Sequence, residues 1–334
     1  MAQQQQTHWK IVCLETTWCP IPDFNLPEGH TCEFRKYELT SADTVAERIR
    51  DADIVIMTIA PMTVATLSVE NAPRLKMIAI TASGTDTVDL ATCRKRGIVV
   101  ANSPHCNETS VVEHALGMYF ATRRYIIPMN SHARAGDWVT KISLLRSMQG
   151  PDGKPPRLCS EEVVGIIGYG AIGKLVQSKF GALGMKIIVA SRKGGEVPEG
   201  RVSFETALRE SSVLILCLPR SPDTMNLISD AEFNIMRSCA LVINVSRGGI
   251  VDERALISAL KEGKIAGAAT DVYPKEPAGP SNSVLLSPEM ADLNLVTTPH
   301  VAWYAEDTHD NYYQATTGNV IDFVAQGTSR HQVC

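Results

Sequence analysis

Apolar and polar positions alternate along the first part of the chain in a pattern that predicts strands and helices in turn. Short apolar runs rich in β-branched residues have the length of buried strands. They cover residues 10–14, 54–58, 77–81 and 98–101, and segments with helical spacing separate them. This alternation is typical of βαβ units, in which helices cover a parallel sheet.

A long buried helix is predicted over residues 108–125. Ser110 and Glu113 have the spacing of a capping box at its start. Its apolar residues recur at helical spacing, and they are Val111, Val112, Ala115, Leu116, Tyr119 and Phe120. Residues 150–156 combine prolines with glycines, so this segment is predicted to be a surface loop.

A second alternating series predicts a complete doubly wound sheet of six strands. Its strand-like runs cover residues 163–167, 186–190, 213–218, 241–245, 265–271 and 295–298. Residues 306–325 read as a helix with too little chain beside it to form a domain. We expect this helix to pack on an earlier part of the chain.

Composition and charge limit the possible partners. The 334 residues, 44% of them hydrophobic, are too many for one ordinary core and indicate about two domains. The formal net charge of -4, without a basic block, argues against nucleic acid as a partner. The apolar runs are far shorter than a membrane span, so no membrane association is expected. The polar start of the chain lacks a signal-peptide pattern, its residues 3–6 are predicted to be a disordered end, and a cytoplasmic location is expected.

The nine cysteines show no C-x-x-C pair, and no histidine pair has a spacing suited to zinc. We therefore expect free thiols in a reducing compartment and no metal site.

A glycine-rich loop is the first motif that carries chemistry. Residues 168–173, GYGAIG, follow an apolar strand and precede a helical segment, which is the context of a dinucleotide-binding fingerprint. Gly168 permits a tight turn, Gly170 lets a pyrophosphate approach the backbone, and Gly173 lets the helix pack close to the strand. The phosphates would lie at the helix N-terminus, which favours anions.

The residues after the next strand bear on the choice of cofactor. An NAD site needs an acidic residue there for the ribose hydroxyls, but the chain has Ser191, Arg192 and Lys193. Ser191 can hydrogen-bond a 2′-phosphate, Arg192 can pair with it, and Lys193 adds a second charge. This predicts NADP(H) in preference to NAD(H). The alternative is that Arg192 and Lys193 are only solvated charges at a strand end.

Three more motifs follow the glycine loop in order: LVINVSRGGIVD at 241–252, ATDVYPKEP at 269–277 and TPHVAW at 298–303. With them, residues 54–303 resemble the D-isomer-specific 2-hydroxyacid dehydrogenases, which include glycerate dehydrogenases and hydroxypyruvate/glyoxylate reductases. The resemblance implies a flavodoxin-like substrate domain, residues 1–105 with 305–334, and a Rossmann cofactor domain, residues 106–304. It also implies an active site in the cleft between the domains and a homodimer formed through the helix at 108–125. Burial within one subunit explains the apolar face of this helix equally well.

The motifs also supply a set of catalytic candidates. Reduction of a 2-oxo acid requires a proton for the carbonyl oxygen and a cation that holds the carboxylate. His300 is suited to the acid-base role because its charge changes in the physiological pH range. Glu276 would orient the imidazole and favour its charged form, and the fork of Arg247 would bind the carboxylate and the carbonyl. Taken singly, each of these residues is also compatible with a purely structural role.

The resemblance assigns further residues to binding. Ser83 and Gly84 resemble the family's carboxylate-binding loop. Trp303 lies just beyond His300 in the sequence and is expected to limit the size of the substrate side chain. Besides Gly168, Gly170, Gly173, Ser191, Arg192 and Lys193, the cofactor set comprises Ala171, Ile172, Leu218, Pro219, Thr224, Val245, Ser246, Asp271 and His300.

The favoured reaction is reduction of hydroxypyruvate or glyoxylate to D-glycerate or glycolate. Formate dehydrogenases have Gln in place of Glu276, and the segment after Trp303 is too short for the regulatory domain of many phosphoglycerate dehydrogenases. Pyruvate, branched-chain oxo acids and a specialised biosynthetic oxo acid remain open as substrates. A dinucleotide-sensing scaffold, like the corepressors that share this fold, is the alternative from another class.

Overall fold

The strand-like runs of the sequence form two separate parallel sheets. The computed structural model describes residues 7–334, so the prediction for residues 3–6 lies outside it. The chain divides into two units, of which the second is Glu108–Trp303. The first unit combines residues 7–107 with Tyr304–Cys334. The predicted architecture of two parallel α/β domains is confirmed.

The first unit has a five-stranded sheet in the order β2-β1-β3-β4-β5, which is the flavodoxin-like order. Its strands are β1 (Thr7–Cys13), β2 (His30–Lys36), β3 (Ile54–Met57), β4 (Met77–Ile80) and β5 (Val99–Ala101). Its helices are α1 (Val45–Ile49), α2 (Leu90–Arg96) and α10 (Glu306–Gln326).

Strand β2 was not predicted from the sequence. It pairs with β1 along its whole length, with Phe34 opposite Ile11. None of its side chains is buried, and Glu33, Arg35 and Lys36 interrupt any apolar run. The strand lies at the edge of the sheet, where charged side chains remain in water.

Helix α10 packs on the first unit's sheet, as expected for a segment too small to form a domain. Asn319 Nδ2 donates to the Asn102 carbonyl oxygen over 2.8 Å, and the Thr316 hydroxyl donates to Thr81 Oγ1 over 3.3 Å. The rings of Phe323 and Trp9 meet edge to face, 5.9 Å apart. These contacts join α10 to β1, to the end of β4 and to the end of β5.

The second unit contains a six-stranded parallel sheet in the order β11-β10-β9-β8-β6-β7. This confirms the six predicted strands. They are β6 (Val163–Ile167), β7 (Lys186–Val189), β8 (Val213–Leu216), β9 (Leu241–Asn244), β10 (Gly267–Thr270) and β11 (Leu295–Thr297). The α-helices are α3 (Glu108–Arg123), α4 (Ile126–Arg134), α5 (Asp137–Lys141), α6 (Ala171–Ala182), α7 (Phe204–Glu210), α8 (Asp230–Phe233) and α9 (Glu253–Lys261).

Both faces of this sheet are buried. Val213 and Ile215 of β8 belong to the core formed with α3 and α6, whereas Leu214 and Leu216 belong to the core formed with α7 and α9. Burial on both faces explains why the strands read as unbroken apolar runs. The prediction that Phe120 of α3 is buried was wrong: it lies on the outer face of the helix and is 38% exposed.

The segment that follows α3 presents its side chains outward. None of the side chains of α4, α5 and the 3-10 helix Leu145–Met148 is buried. Residues 150–156 form a surface loop, as predicted, closed by a backbone hydrogen bond from Gly150 to Lys154. Across residues 7–334, every helix is too short or too polar to cross a membrane.

Candidate active site

The carboxyl ends of the second unit's strands carry nearly all of the predicted site residues. Ligands of doubly wound sheets bind at this edge. In the order of strands β6 to β11, the residues that follow are Gly168, Gly170, Ala171, Ile172 and Gly173; Ser191, Arg192 and Lys193; Leu218, Pro219 and Thr224; Val245, Ser246 and Arg247; Asp271 and Glu276; and His300 and Trp303.

The glycine loop has the close packing that its sequence predicts. Gly168 has a φ of 92°, and a Cβ atom there would lie 2.4 Å from the Cys217 carbonyl oxygen. A Cβ atom on Gly173 would lie 2.3 Å from the Gly168 carbonyl oxygen. At Gly170, in contrast, the space within 4 Å of a Cβ atom holds none of the described atoms. The backbone at the start of α6 is therefore open to a pyrophosphate.

The end of β7 carries an unusual buried hydroxyl. Ser191 is 3% exposed, and its Oγ has no hydrogen-bond partner within the described part of the chain. A buried hydroxyl without a partner costs roughly 1 to 3 kcal/mol, which a ligand oxygen would recover. Together with the open backbone at Gly170, this hydroxyl fits a phosphorylated dinucleotide.

The two cations beside Ser191 are both paired with carboxylates. Arg192 Nη2 lies 2.5 Å from Asp223 Oδ2, and both side chains are exposed. Lys193 Nζ lies 2.7 Å from Oε1 of Glu232, whose side chain is 8% exposed. The loop that bears Asp223 is closed by Thr224, whose hydroxyl donates to the Pro219 carbonyl oxygen over 3.0 Å.

Arg247 lies on a loop fixed by the last residue of β9. Asn244 Nδ2 donates to the Arg247 carbonyl oxygen over 2.9 Å, and Asn244 Oδ1 accepts from the Ser246 hydroxyl over 2.8 Å. A Cβ atom on Gly248 would lie 1.8 Å from the Tyr273 carbonyl carbon, so only glycine lets the two loops pass. Sequence reasoning missed Asn244, although a polar residue at the end of an apolar strand is a usable signal.

His300 and Glu276 form a hydrogen-bonded pair. His300 Nδ1 lies 2.6 Å from Glu276 Oε2, and the other carboxylate oxygen accepts from the Tyr273 backbone N–H over 2.8 Å. The His300 side chain is 42% exposed. The structure thus brings together two of the three predicted catalytic residues through a direct contact, and it leaves Nε2 of His300 for a substrate.

Several charges act on the Glu276 carboxyl. Burial raises its pKa, but the hydrogen bond and charge of His300, the Tyr273 N–H and the positive charge of Arg247 outweigh burial and hold the pKa below the ordinary 4.5. Glu276 is therefore ionised at neutral pH. It can hold the imidazole of His300 in place through the contact with Nδ1.

Asp271 fixes the backbone of the loop that carries His300. Its carboxylate, 1% exposed, accepts from the Thr298 hydroxyl over 2.6 Å and from the N–H groups of Val301 and Ala302 over 2.9 Å each. Trp303 Nε1 donates to the His300 carbonyl oxygen over 2.9 Å, which closes the same loop. The contacts observed for Asp271 are with the loop that carries His300, and its assignment to cofactor binding stays a prediction.

Ser83 and Gly84 belong to the first unit, where they follow β4 at the carboxyl end of its sheet. The Ser83 hydroxyl donates to the Ser103 carbonyl oxygen over 3.2 Å, and Asn102 Nδ2 donates to the Ser83 carbonyl oxygen over 2.7 Å. Their predicted role as carboxylate donors stays a prediction.

The glycine loop at the edge of a six-stranded Rossmann sheet, with an ionised Glu276 and a histidine at the same edge, defines a dinucleotide-dependent enzyme. Residues 116–302 match the family model of the D-isomer specific 2-hydroxyacid dehydrogenase, NAD binding domain. The chain belongs to the D-isomer specific 2-hydroxyacid dehydrogenases, which are NAD(P)-dependent oxidoreductases.

Three relatives illustrate the match. A glycerate dehydrogenase of Methylorubrum extorquens is 37% identical, over 95% of this chain and 96% of that protein. A glyoxylate reductase of Thermococcus litoralis is 33% identical, over 83% of this chain and 82% of that protein. The crystal structure of an NADPH-dependent glyoxylate/hydroxypyruvate reductase of Sinorhizobium meliloti is similar, with a TM-score of 0.77 and 26% identity over 97% of each chain.

Proposed function

We propose that this enzyme reduces a small 2-oxo acid, hydroxypyruvate or glyoxylate, to D-glycerate or glycolate, with NADP(H) as the preferred cofactor. The observation that carries the proposal is the His300–Glu276 hydrogen bond of 2.6 Å in a chain of this family. Glycerate dehydrogenase and glyoxylate reductase activities among its relatives support the choice of substrate.

The proposed chemistry is a paired transfer to the substrate carbonyl. When bound, a reduced nicotinamide would supply the hydride to the carbonyl carbon. The π bond of the carbonyl breaks toward oxygen, and that oxygen takes a proton from Nε2 of the His300 imidazolium. Glu276 stabilises the imidazolium before the transfer and holds the neutral ring afterwards. The product is the 2-hydroxy acid, and His300 recovers its proton from solvent.

Arg247 is the proposed anion-binding residue. Its positive charge already acts on Glu276, which supports a position beside the acid-base pair. A guanidinium fork can hold the substrate carboxylate and stabilise charge on the carbonyl oxygen as it develops. Trp303, whose Nε1 donates to the His300 carbonyl oxygen, is the proposed limit on the size of the substrate side chain.

The preference for NADP(H) rests on the end of β7. Where an NAD site presents a carboxylate, this chain presents the partnerless Ser191 hydroxyl and Arg192. Steady-state kinetics with both reduced cofactors test this preference. We expect kcat/KM to be at least about tenfold higher with NADPH, which corresponds to about 1.4 kcal/mol. A tenfold preference for NADH would contradict it.

The choice of substrate is tested with a panel of 2-oxo acids assayed by NADPH oxidation at fixed pH. Hydroxypyruvate and glyoxylate should give the highest kcat/KM, and branched-chain oxo acids should be poor because of Trp303. A higher kcat/KM for a branched-chain acid would contradict the substrate assignment. Turnover of none of the acids would contradict the enzymatic proposal as a whole.

We also propose a homodimer formed through the region of α3 and the segment that follows it. One face of α3 packs within its own unit, and its outer face carries the exposed Phe120. The following segment presents exposed apolar residues, namely Ile126, Ile127, Trp138, Val139, Ile142 and Leu145. Several large apolar side chains exposed along one short segment support its role in contacts with a partner. Light scattering should show a dimer, and Val139→Asp should shift the protein toward monomer.

The proposed compartment is the cytosol, because all nine cysteines are free thiols, as expected under reducing conditions.

A further inference from the structure

The chain beyond Ser191 leaves the sheet, turns, and comes back beside it. Val202 accepts a hydrogen bond from the Ser191 N–H over 2.8 Å and donates one to the Val189 carbonyl oxygen over 3.0 Å. Val202 thus forms a parallel bridge with Ala190. This return places Arg201 next to the strand end that carries Ser191, although ten positions separate the two in sequence.

Arg201 is held over the glycine loop by an aromatic ring. Its guanidinium carbon lies 5.5 Å from the centre of the Tyr169 ring, within the range of a cation–π contact. Tyr169 stands between Gly168 and Gly170, and its hydroxyl donates to Gln177 of α6. Arg201 therefore stands where the glycine loop and the end of β7 meet.

Lys193 forms an ion pair with a buried carboxylate. Its ammonium group pairs with Glu232, which is almost fully buried, and lies 5.7 Å from the Phe204 ring centre. The second carboxylate oxygen of Glu232 accepts from the Ser229 N–H over 3.0 Å at the start of α8. Moving Lys193 to a ligand would leave a buried carboxylate without its counter-charge, which is costly.

From these contacts we infer that Arg201, not Lys193, is the second cation of the 2′-phosphate site, acting with Arg192 and the Ser191 hydroxyl. This inference rests on the proposed NADP(H) preference. Arg192 can turn to a phosphate at little cost, because its ion pair with Asp223 is exposed and therefore weak. Arg201 contacts the Tyr169 ring with the face of its guanidinium, so the N–H groups at the edge can donate to phosphate oxygens. Tyr169 is the positioning residue for Arg201.

Calorimetric binding of two nucleotides to the whole enzyme isolates the 2′-phosphate from catalysis. The probes are adenosine 2′,5′-bisphosphate and adenosine 5′-monophosphate, which differ only by that phosphate. In the wild type the bisphosphate should bind at least about tenfold tighter. Arg201→Met should remove most of this difference and leave the affinity for the monophosphate within about twofold. Arg209→Met, on the exposed face of α7, is the matched loss of charge and should change neither affinity.

Two further variants distinguish the residues that bind the 2′-phosphate from those that only stabilise the surrounding structure. Tyr169→Leu should lose part of the bisphosphate selectivity, and Lys193→Met should lower the melting temperature while retaining most of the selectivity. The inference is overturned if Arg201→Met keeps full selectivity, weakens both nucleotides equally, or loses less selectivity than Lys193→Met. If the wild type itself shows no selectivity, the proposed cofactor preference fails and the inference fails with it.

Discussion

The backbone N–H of His300 donates to the carbonyl oxygen of Asp271 over 2.8 Å, while the Asp271 carboxylate binds the two N–H groups that follow His300. His300 itself has a φ of 54°, in the left-handed region that costs a non-glycine residue about 1 kcal/mol or more. Asp271 thus stabilises the backbone that directs the imidazole toward Glu276.

Asp271→Asn should lower kcat by about 100-fold, because an amide replaces one of two acceptor oxygens and the His300 loop shifts. We expect the dissociation constant of NADPH, measured by fluorescence, to change much less than kcat. Thermal unfolding shows whether the variant is folded. An unchanged kcat would contradict the positioning role, and a large loss of NADPH affinity alone would instead support direct cofactor binding by Asp271.

His300→Ala should abolish reduction while NADPH binding stays nearly intact, because the proton donor is lost and the nucleotide-binding loops are untouched. A loss of at least about 100-fold in kcat is expected for a general acid. His8→Ala, an exposed histidine of the first unit, is the control and should retain full activity. Near-normal turnover in His300→Ala would remove the acid-base assignment.

Glu276→Gln should lower kcat for reduction near pH 7 by at least about tenfold, because Gln keeps a hydrogen-bonding group for His300 but has no charge to assist the proton transfer. Burial raises the pKa of Glu276, but the hydrogen bond and charge of His300 outweigh burial and hold the pKa below the ordinary 4.5, so the wild-type charge is lost only as the pH falls through that lowered pKa. The ratio of wild-type to variant kcat, measured across pH, should therefore shrink only in acid. Equal kcat values near pH 7 would show that the charge of Glu276 does not assist the reaction.

Asp223→Asn should raise kcat/KM for NADPH by about threefold and leave that for NADH unchanged. The Asp223 carboxylate lies 2.5 Å from Arg192 and would also repel a 2′-phosphate. The expected gain is small because an exposed ion pair contributes less than about 1 kcal/mol. Asp292→Asn, an exposed acid elsewhere in the same unit, is the control. A fall in the NADPH value would mean that Asp223 orients Arg192 for the cofactor.

Glu162→Gln should lower the free energy of unfolding by roughly 3 to 5 kcal/mol. The buried Glu162 carboxylate lies 2.6 Å from Arg123 Nε of α3, so the substitution leaves a buried guanidinium without its counter-charge. Denaturant unfolding measures the change, and Glu210→Gln, on the surface of α7, should be nearly neutral. A small change would show that water replaces the lost charge.

The sequence predicts most of the second unit for two reasons. Its strands are buried on both faces and therefore form apolar runs, and close backbone contacts require glycine in its glycine loop. Gly168 and Gly173 are fixed by backbone contacts that any side chain would break. Strand β2 is not predicted, because it lies at the edge of the sheet and its charged residues interrupt the apolar run by which the other strands are predicted.

The partners of charged side chains are also beyond sequence reasoning. Lys193 and Arg192 are adjacent in sequence, yet one pairs with a buried carboxylate and the other with an exposed one. The ring that holds Arg201 comes from another loop, 32 positions earlier, and no local pattern indicates the contact.

The placement of α10 has a consequence for the order in which the protein is completed during synthesis. Every element of the second unit is synthesised before α10, whereas the first unit still lacks the helix that covers its sheet through Thr316, Asn319 and Phe323. Domains generally fold as units during translation. The part of the first unit that ends at Asn107 therefore keeps apolar surface of its sheet uncovered until the whole nucleotide-binding unit has been synthesised.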